Sequence, residues 1–203
     1  VASCQHALRA HGLAVVPAAA IVGAVGDGAR RLLERVSGLP AEDPGFAALL
    51  ATYLDYYAAH GYARSVLMPG AEAALAGLSG LPLAIATHKP RATTLPLLAH
   101  LRLLDRFAIV VAGDDVERHK PHPEPLLVVA SRLAVEPRRL VMVGDGPQDV
   151  LAGRAAGART VGVPGCFAAR EDLVGAGPDV LLEDLSALPA LIASWGGGQA
   201  TSW

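Results

Sequence analysis

Apolar and polar positions follow two different rhythms along the chain. Up to about residue 67, apolar residues recur at helical spacing, most clearly over residues 1–11 and 28–36 and over Phe46–His60, with glycine and proline between these pieces. Residues 12–26 are expected to add a buried helical segment. Since no run in this region is typical of a strand, the sequence predicts a small bundle of three or four helices over residues 1–67.

From Met68 onward, short apolar runs alternate with helical segments. The runs that predict buried parallel strands are 81–87, 107–112, 140–144, 160–163 and 180–182. The helical segments are 71–78, 91–101, 123–133 and 147–156, and Pro96 is expected to kink the second or to mark its true start. This alternation predicts an α/β domain over residues 68–203, a doubly wound parallel sheet that ends in a frayed tail from Gly196.

Composition removes several classes of protein. The chain has 203 residues, 52% hydrophobic and 18% charged, with a formal net charge of -2, which argues against disorder and a coiled coil. It contains no cluster of basic residues that would bind nucleic acid, and no apolar stretch long enough for a membrane span. Its two cysteines, Cys4 and Cys166, form no disulfide or zinc pattern, so a reducing cytoplasm is expected.

The candidate chemistry lies just after the apolar runs, because ligands of open α/β sheets bind beyond the carboxyl ends of the strands. Thr87, His88 and Lys89 follow the first run and precede a helix. A hydroxyl and backbone N–H groups at such a point favour an anion. An ordinary threonine cap explains the same pattern without any ligand.

A second candidate is Lys120, which precedes three prolines at alternate positions. Prolines stiffen the backbone before a helix, so the position of this ammonium group is expected to matter. The competing interpretation is a proline-rich helix start with a solvated lysine.

The third candidate is a pair of carboxylates after the run 140–144. Asp145 follows the predicted strand, and Asp149 comes one helical turn later, so both side chains can face one cavity. Mg²⁺ is held by one or two carboxylates together with water and phosphate, and this pair fits that requirement. A helix N-cap would explain Asp145 but not the second carboxylate.

Taken together and in this order, the three motifs resemble the haloacid dehalogenase-like hydrolase superfamily. The strings THKP, GDDV with KPHPEP, and VGDGPQDVLAGRAAGA look like its phosphoglycolate phosphatase branch, and VGDGARRLLERV and MPGAEAAL resemble the small helical cap of that branch. The resemblance implies a Rossmann-like core with a helical cap. It covers nearly the whole chain.

The resemblance also implies roles for the candidate residues. Thr87 would hold a phosphoryl oxygen, Lys120 would neutralise charge, and Asp145 would bind Mg²⁺ with support from Asp149. His88 and Lys89 would border the substrate, although His88 replaces the asparagine that is common at that position. These roles imply a phosphomonoesterase that forms an aspartyl-phosphate and acts on a small phosphorylated metabolite, with 2-phosphoglycolate as the leading expectation. A monomer or homodimer is expected.

The first motif of the family, DxDGT, is absent from the sequence. Asp27 has no strand before it and is a poor candidate for the nucleophile. Because the chain begins with Val1, we expect it to be a truncated form that lacks a central first strand and is inactive as it stands. The alternatives are an inactive domain that binds a phosphorylated ligand or partner, and a phosphomutase or pyrophosphatase. A dehalogenase would leave Asp145 and Asp149 unexplained.

Overall fold

A computed structural model describes residues 1–26, 28–62, 65–165 and 168–196. Asp27, Cys166 and residues 197–203 of the tail, for which the sequence makes predictions, lie outside these ranges. Within them, the α-helices are α1 (Ala2–Ala10), α2 (Ala18–Gly23), α3 (Gly28–Ser37), α4 (Phe46–His60), α5 (Ala71–Gly77), α6 (Arg91–His100), α7 (Glu124–Leu133), α8 (Pro147–Ala156), α9 (Arg170–Gly175) and α10 (Leu188–Gly196). The strands are β1 (Ala84–Ala86), β2 (Ile109–Val111), β3 (Val141–Gly144), β4 (Arg159–Gly162) and β5 (Val180–Leu181).

The chain divides into two compact units. The first comprises Val1–Val66, Ala86–Leu104 and Val111–His119, and the second comprises Leu67–Ile85, Asp105–Val110 and Lys120–Trp203. The assignment of residues 1–67 as a cap, which the sequence suggests, stays a prediction.

The core of the first unit is formed by helices α1 to α4, which confirms the predicted bundle. The largest fully buried side chains come from one apolar face of each helix, and they are Leu8, Ile21, Leu33, Phe46 and Leu49. The segment 12–26 differs from expectation, because α2 begins only at Ala18 and most of its residues are exposed. Pro17 lies at the N-cap of α2, so the residues before it stay outside the helix.

The described strands form two sheets. One has the order β3-β4-β5 and is parallel, with Val141 opposite Arg159 and Val161 opposite Val180. The other pairs β1 with β2. All five predicted strands are confirmed, as is the α/β class, because short β-branched runs favour buried parallel strands.

Helix α6 continues through Pro96, so this proline does not mark the start of the helix. The hydroxyls of Thr93 and Thr94 donate to the carbonyl oxygen of Pro90 at 3.0 and 2.9 Å, and these bonds strengthen the first turn. Helices α9 and α10 are not among the segments that the sequence predicts. In the described part of the chain, no helix is long and apolar enough to cross a membrane.

Thr160 ties β4 to the segment before β5 in the second unit. It is fully buried, and its hydroxyl donates to Asp179 Oδ2 and accepts from the Asp179 backbone N–H, both at 3.0 Å. The Thr160 backbone N–H donates to the same carboxylate at 2.7 Å. These reciprocal bonds satisfy the polar groups where β5 joins the sheet.

Replacing Thr160 with Val is therefore expected to lower the free energy of unfolding by about 1–3 kcal/mol, because it removes the hydroxyl that both donates to Asp179 Oδ2 and accepts from the Asp179 backbone N–H. Thr160→Ser is the matched control, since it keeps the hydroxyl. Urea denaturation followed by circular dichroism measures both variants. Equal stability of the Val and Ser variants would contradict the role given to the hydroxyl.

Candidate active site

The first candidate motif lies at the end of β1 in the first unit, and we call residues 87–90 the strand-tip segment. The Thr87 backbone N–H donates to the Val111 carbonyl at 2.9 Å, which fixes the segment to β2. The Thr87 hydroxyl accepts from the Lys89 backbone N–H at 3.2 Å. A hydroxyl that accepts one hydrogen bond still has its own proton to donate, so Thr87 can serve both as a turn cap and as an anion ligand.

The backbone of Gly113 packs directly against the strand-tip segment. Its N–H donates to the Lys89 carbonyl at 2.8 Å. A Cβ atom at position 113 would lie only 2.4 Å from the His88 carbonyl oxygen, so any side chain here would push the segment away. Glycine is required at this position by close approach of two backbones.

Two acidic residues after Gly113 hold the start of α6. Asp114 Oδ1 accepts from the Arg91 backbone N–H at 2.8 Å. Asp115 accepts from Arg91 Nε at 3.0 Å and forms an ion pair with the same guanidinium, which raises the pKa of Arg91. The first turn of α6 is therefore capped from a different part of the chain rather than by its own N-cap residue.

Two histidines bond to backbone carbonyls beside the strand-tip segment. His88 Nδ1 lies 2.9 Å from the Gly26 carbonyl oxygen, and His119 Nε2 lies 2.8 Å from that of Gly113. Since a carbonyl only accepts, each of these nitrogens carries a proton. The two rings are 5.4 Å apart between centroids, so the imidazoles brace the loops around Thr87.

The other candidates lie in the second unit, where Lys120, Asp145 and Asp149 form what we call the acid–lysine cluster. Lys120 Nζ donates to Asp149 Oδ1 at 2.6 Å, and the two side chains are only 10% and 8% exposed. Asp149 Oδ2 accepts from the Gly146 backbone N–H at 3.1 Å, which caps the start of α8. Both oxygens of Asp149 thus have a structural partner.

Gly144 makes room for this arrangement. A Cβ atom at position 144, the last residue of β3, would lie 2.3 Å from Asp149 Oδ2. Any other residue would displace the carboxylate from Lys120 and Gly146. Gly144 therefore leaves the space that the acid–lysine cluster needs, although it contributes no side chain.

Asp145 is partly buried and carries the least compensated charge in the acid–lysine cluster. Burial and the charge of Asp149 raise the pKa of the Asp145 carboxyl, and a backbone hydrogen bond and Lys120 offset this only in part. A cation beside Asp145 would relieve this repulsion, and two neighbouring carboxylates suit Mg²⁺. Across the residues that the structure covers, no group of three or more His, Cys, Asp or Glu side chains is arranged to hold a metal.

Comparison with known proteins shows the family to which the chain belongs. The family described as haloacid dehalogenase-like hydrolase matches residues 1–163. A phosphoglycolate phosphatase of Salmonella typhimurium is 37% identical over 171 residues, which cover 80% of this chain and 68% of that protein. The chain belongs to the haloacid dehalogenase-like hydrolase family.

Two solved structures share the fold of this family member. A predicted phosphoglycolate phosphatase from Haemophilus somnus 129PT matches with a TM-score of 0.86 at 22% identity, covering 94% of this chain and 89% of that one. A hydrolase from Pseudomonas syringae matches with a TM-score of 0.77 at 26% identity, covering 95% and 90%. These structures support the α/β class that the sequence predicts.

The candidates of this haloacid dehalogenase-like chain fall into two groups. Thr87, His88 and Lys89 lie together in the first unit, and the acid–lysine cluster lies in the second. Sequence reasoning missed the roles of Asp114 and Asp115, although acidic residues directly after a strand were a usable signal. It also missed Tyr57, which bonds to Lys89 and lies 32 residues away in sequence.

Replacing Asp145 with Asn is expected to raise the melting temperature of the metal-free protein near pH 7.5. Because the pKa of Asp145 is raised in the fold, its charged form opposes folding at that pH. The gain should shrink as the pH falls through the raised pKa, since Asp145 then binds a proton in the wild type. Calorimetry in excess chelator measures this, with Asp105→Asn as an exposed control. A lower melting temperature for Asp145→Asn at pH 7.5 would contradict the account.

Proposed function

We propose that this protein is a Mg²⁺-dependent phosphomonoesterase that acts on a small phosphorylated metabolite. The observation that carries the proposal is the acid–lysine cluster, in which a buried, hydrogen-bonded Lys120–Asp149 pair lies beside a carboxylate with an unfavourable charge. Such a cluster at the carboxyl end of a parallel strand suits the charge of a phosphoryl group and its metal.

Each candidate residue has a role in this proposal. Thr87 donates its hydroxyl proton to a phosphoryl oxygen from its fixed position after β1. Lys120 offsets the negative charge of the transferring phosphoryl group, and Asp149 holds its ammonium in place through a hydrogen bond. The aspartyl-phosphate intermediate is part of the proposal, and it rests on the family resemblance alone.

Asp145 is the residue that we propose to hold Mg²⁺, with Asp149 in support. Both oxygens of Asp149 accept hydrogen bonds. Asp149 would therefore support the site by fixing its geometry and by adding negative charge, as much as by contact with the ion. When bound, Mg²⁺ would supply positive charge to the phosphoryl oxygens.

The proposed substrate is 2-phosphoglycolate or a similar small phosphoester. This choice rests on the 37% identity to a phosphoglycolate phosphatase, together with the cationic Lys89 beside Thr87. His88 would border the substrate, while its Nδ1 holds the Gly26 carbonyl.

For compartment and assembly we propose the cytoplasm and a monomer or homodimer. The thiol of Cys4 is buried in the helical core, and burial raises its pKa. A buried, protonated thiol is unreactive and suits a reducing compartment.

Phosphate release from a panel of phosphorylated metabolites tests the proposal, using the full-length gene product. We expect turnover that chelator abolishes and Mg²⁺ restores. Thr87→Val should lower kcat/KM by roughly 10²–10³-fold, as the loss of one donor to a developing charge does in other enzymes. Thr87→Ser keeps the hydroxyl and should retain most of the activity.

Binding of the same metabolites without any turnover would overturn the enzymatic proposal in favour of a non-catalytic phosphate-binding domain. Turnover that is insensitive to chelator would contradict the metal. Equal activity of the Val and Ser variants would remove Thr87 from the site.

A further inference from the structure

Three tyrosines on and just after α4 form a cluster, which we define as Tyr53, Tyr57 and Tyr62. The rings of Tyr53 and Tyr57 stack at 6.0 Å between centroids with 26° between their planes. Tyr62 meets Tyr57 edge to face at 5.7 Å and 89°. With an aromatic neighbour on two sides, the Tyr57 ring has little freedom to rotate.

Tyr57 presents its hydroxyl to the strand-tip segment of the same unit. Lys89 Nζ donates to Tyr57 Oη at 3.0 Å, and the ammonium lies 4.9 Å from the centroid of the Tyr57 ring. Lys89 is exposed. Holding an exposed lysine in one conformation usually adds little stability, because the side chain loses conformational entropy. Here a ring that is itself fixed by its neighbours holds the lysine.

The chemistry of this contact favours an anion. The partner of Lys89 is a phenol hydroxyl rather than a carboxylate, so no negative charge of a partner offsets the positive charge of the ammonium. Tyr57 Oη accepts from Lys89 and keeps its own proton, and Lys89 keeps two N–H groups beyond the one that Tyr57 accepts. The Lys89–Tyr57 pair therefore offers an anion several hydrogen-bond donors and one positive charge at the same place.

That point lies close in the chain to the residue proposed to bind phosphate. The Lys89 backbone N–H bonds to the Thr87 hydroxyl, so Lys89 and Thr87 belong to one short turn. A substrate with its phosphate at Thr87 would therefore have the Lys89–Tyr57 pair as a neighbouring group for a second substituent. Two anion-binding points separated by one residue suit a small molecule with two negative groups.

We propose that Tyr57 is a specificity-determining residue, which positions Lys89 and with it binds the carboxylate that the substrate carries beside its phosphate. This inference rests on the proposed phosphomonoesterase function and goes beyond it, because it assigns the choice of a carboxylated substrate to a named residue of α4. Tyr57 acts through Lys89 and through its own hydroxyl, and Tyr53 and Tyr62 keep it in place.

The test compares 2-phosphoglycolate with ethyl phosphate, which lacks the carboxylate, in the full-length gene product. Tyr57→Phe removes the hydroxyl but keeps the stacked ring, so the fold is expected to persist. For 2-phosphoglycolate we expect kcat/KM to fall about ten- to a hundredfold, mostly through a higher KM, as loss of a hydrogen bond to a charged group predicts. For ethyl phosphate kcat/KM should stay within about twofold.

The matched control is Tyr56→Phe, the same change one residue earlier on α4, where the ring stacks on His6 and not on Lys89. It should leave the preference between the two substrates unchanged. Lys89→Met should reproduce the selective loss, and the double variant with Tyr57→Phe should lose much less than the product of the two single effects.

The outcomes separate this inference from the function on which it rests. If the wild type hydrolyses neither ester, the proposed function fails and the inference with it. If the wild type hydrolyses both esters and Tyr57→Phe lowers kcat/KM equally for the two, or for neither, the function stands and the inference is overturned. Independent effects of Tyr57→Phe and Lys89→Met would also overturn it.

Discussion

The second unit depends on one buried ion pair. Removing two charges from water costs several kcal/mol for each ion, and their attraction offsets this only when both are well placed and hydrogen-bonded. Lys120 and Asp149 meet this condition, because Asp149 also accepts from the Gly146 backbone N–H. The pair joins the proline-rich segment before α7 to the first turn of α8, and both must be in place for either charge to be tolerated.

This constraint explains why position 144, at the end of β3, requires a glycine. Gly144 leaves space for the Asp149 carboxylate, and Pro147 begins α8 at the point where Asp149 can reach back to its start. Asp145 then lies beside the Asp149 carboxylate, whose charge adds to burial in raising the pKa of Asp145, while Lys120 lowers it. The charge of Asp145 is compensated only in part, which opposes folding of the metal-free protein and would favour a bound cation. In the proposed function, stability and metal binding are therefore opposed at Asp145.

The sequence was sufficient for the five strands and for the positions of Thr87, Asp145 and Asp149 after them, because short β-branched runs and the residues that follow them are local patterns. The chemical roles of these three residues stay predictions. The sequence did not predict that Asp149 pairs with Lys120, since this contact spans 29 residues. The contact between Tyr57 and Lys89 could not be predicted either, because helical spacing shows only that Tyr57 lies on α4 and not which distant residue it meets. Helix α2 was predicted too long, because Pro17 outweighs the apolar composition around it.

Lys120 and Asp149 act as a unit, and a double-mutant cycle in urea denaturation tests this coupling most directly. Lys120→Met and Asp149→Asn should each lower the free energy of unfolding by roughly 3–5 kcal/mol, because each leaves the other group buried without its partner. The double variant should lose far less than the sum of the two, since no uncompensated charge of the pair remains. Losses that simply add in the double variant would show that the two residues act independently, and would contradict the account.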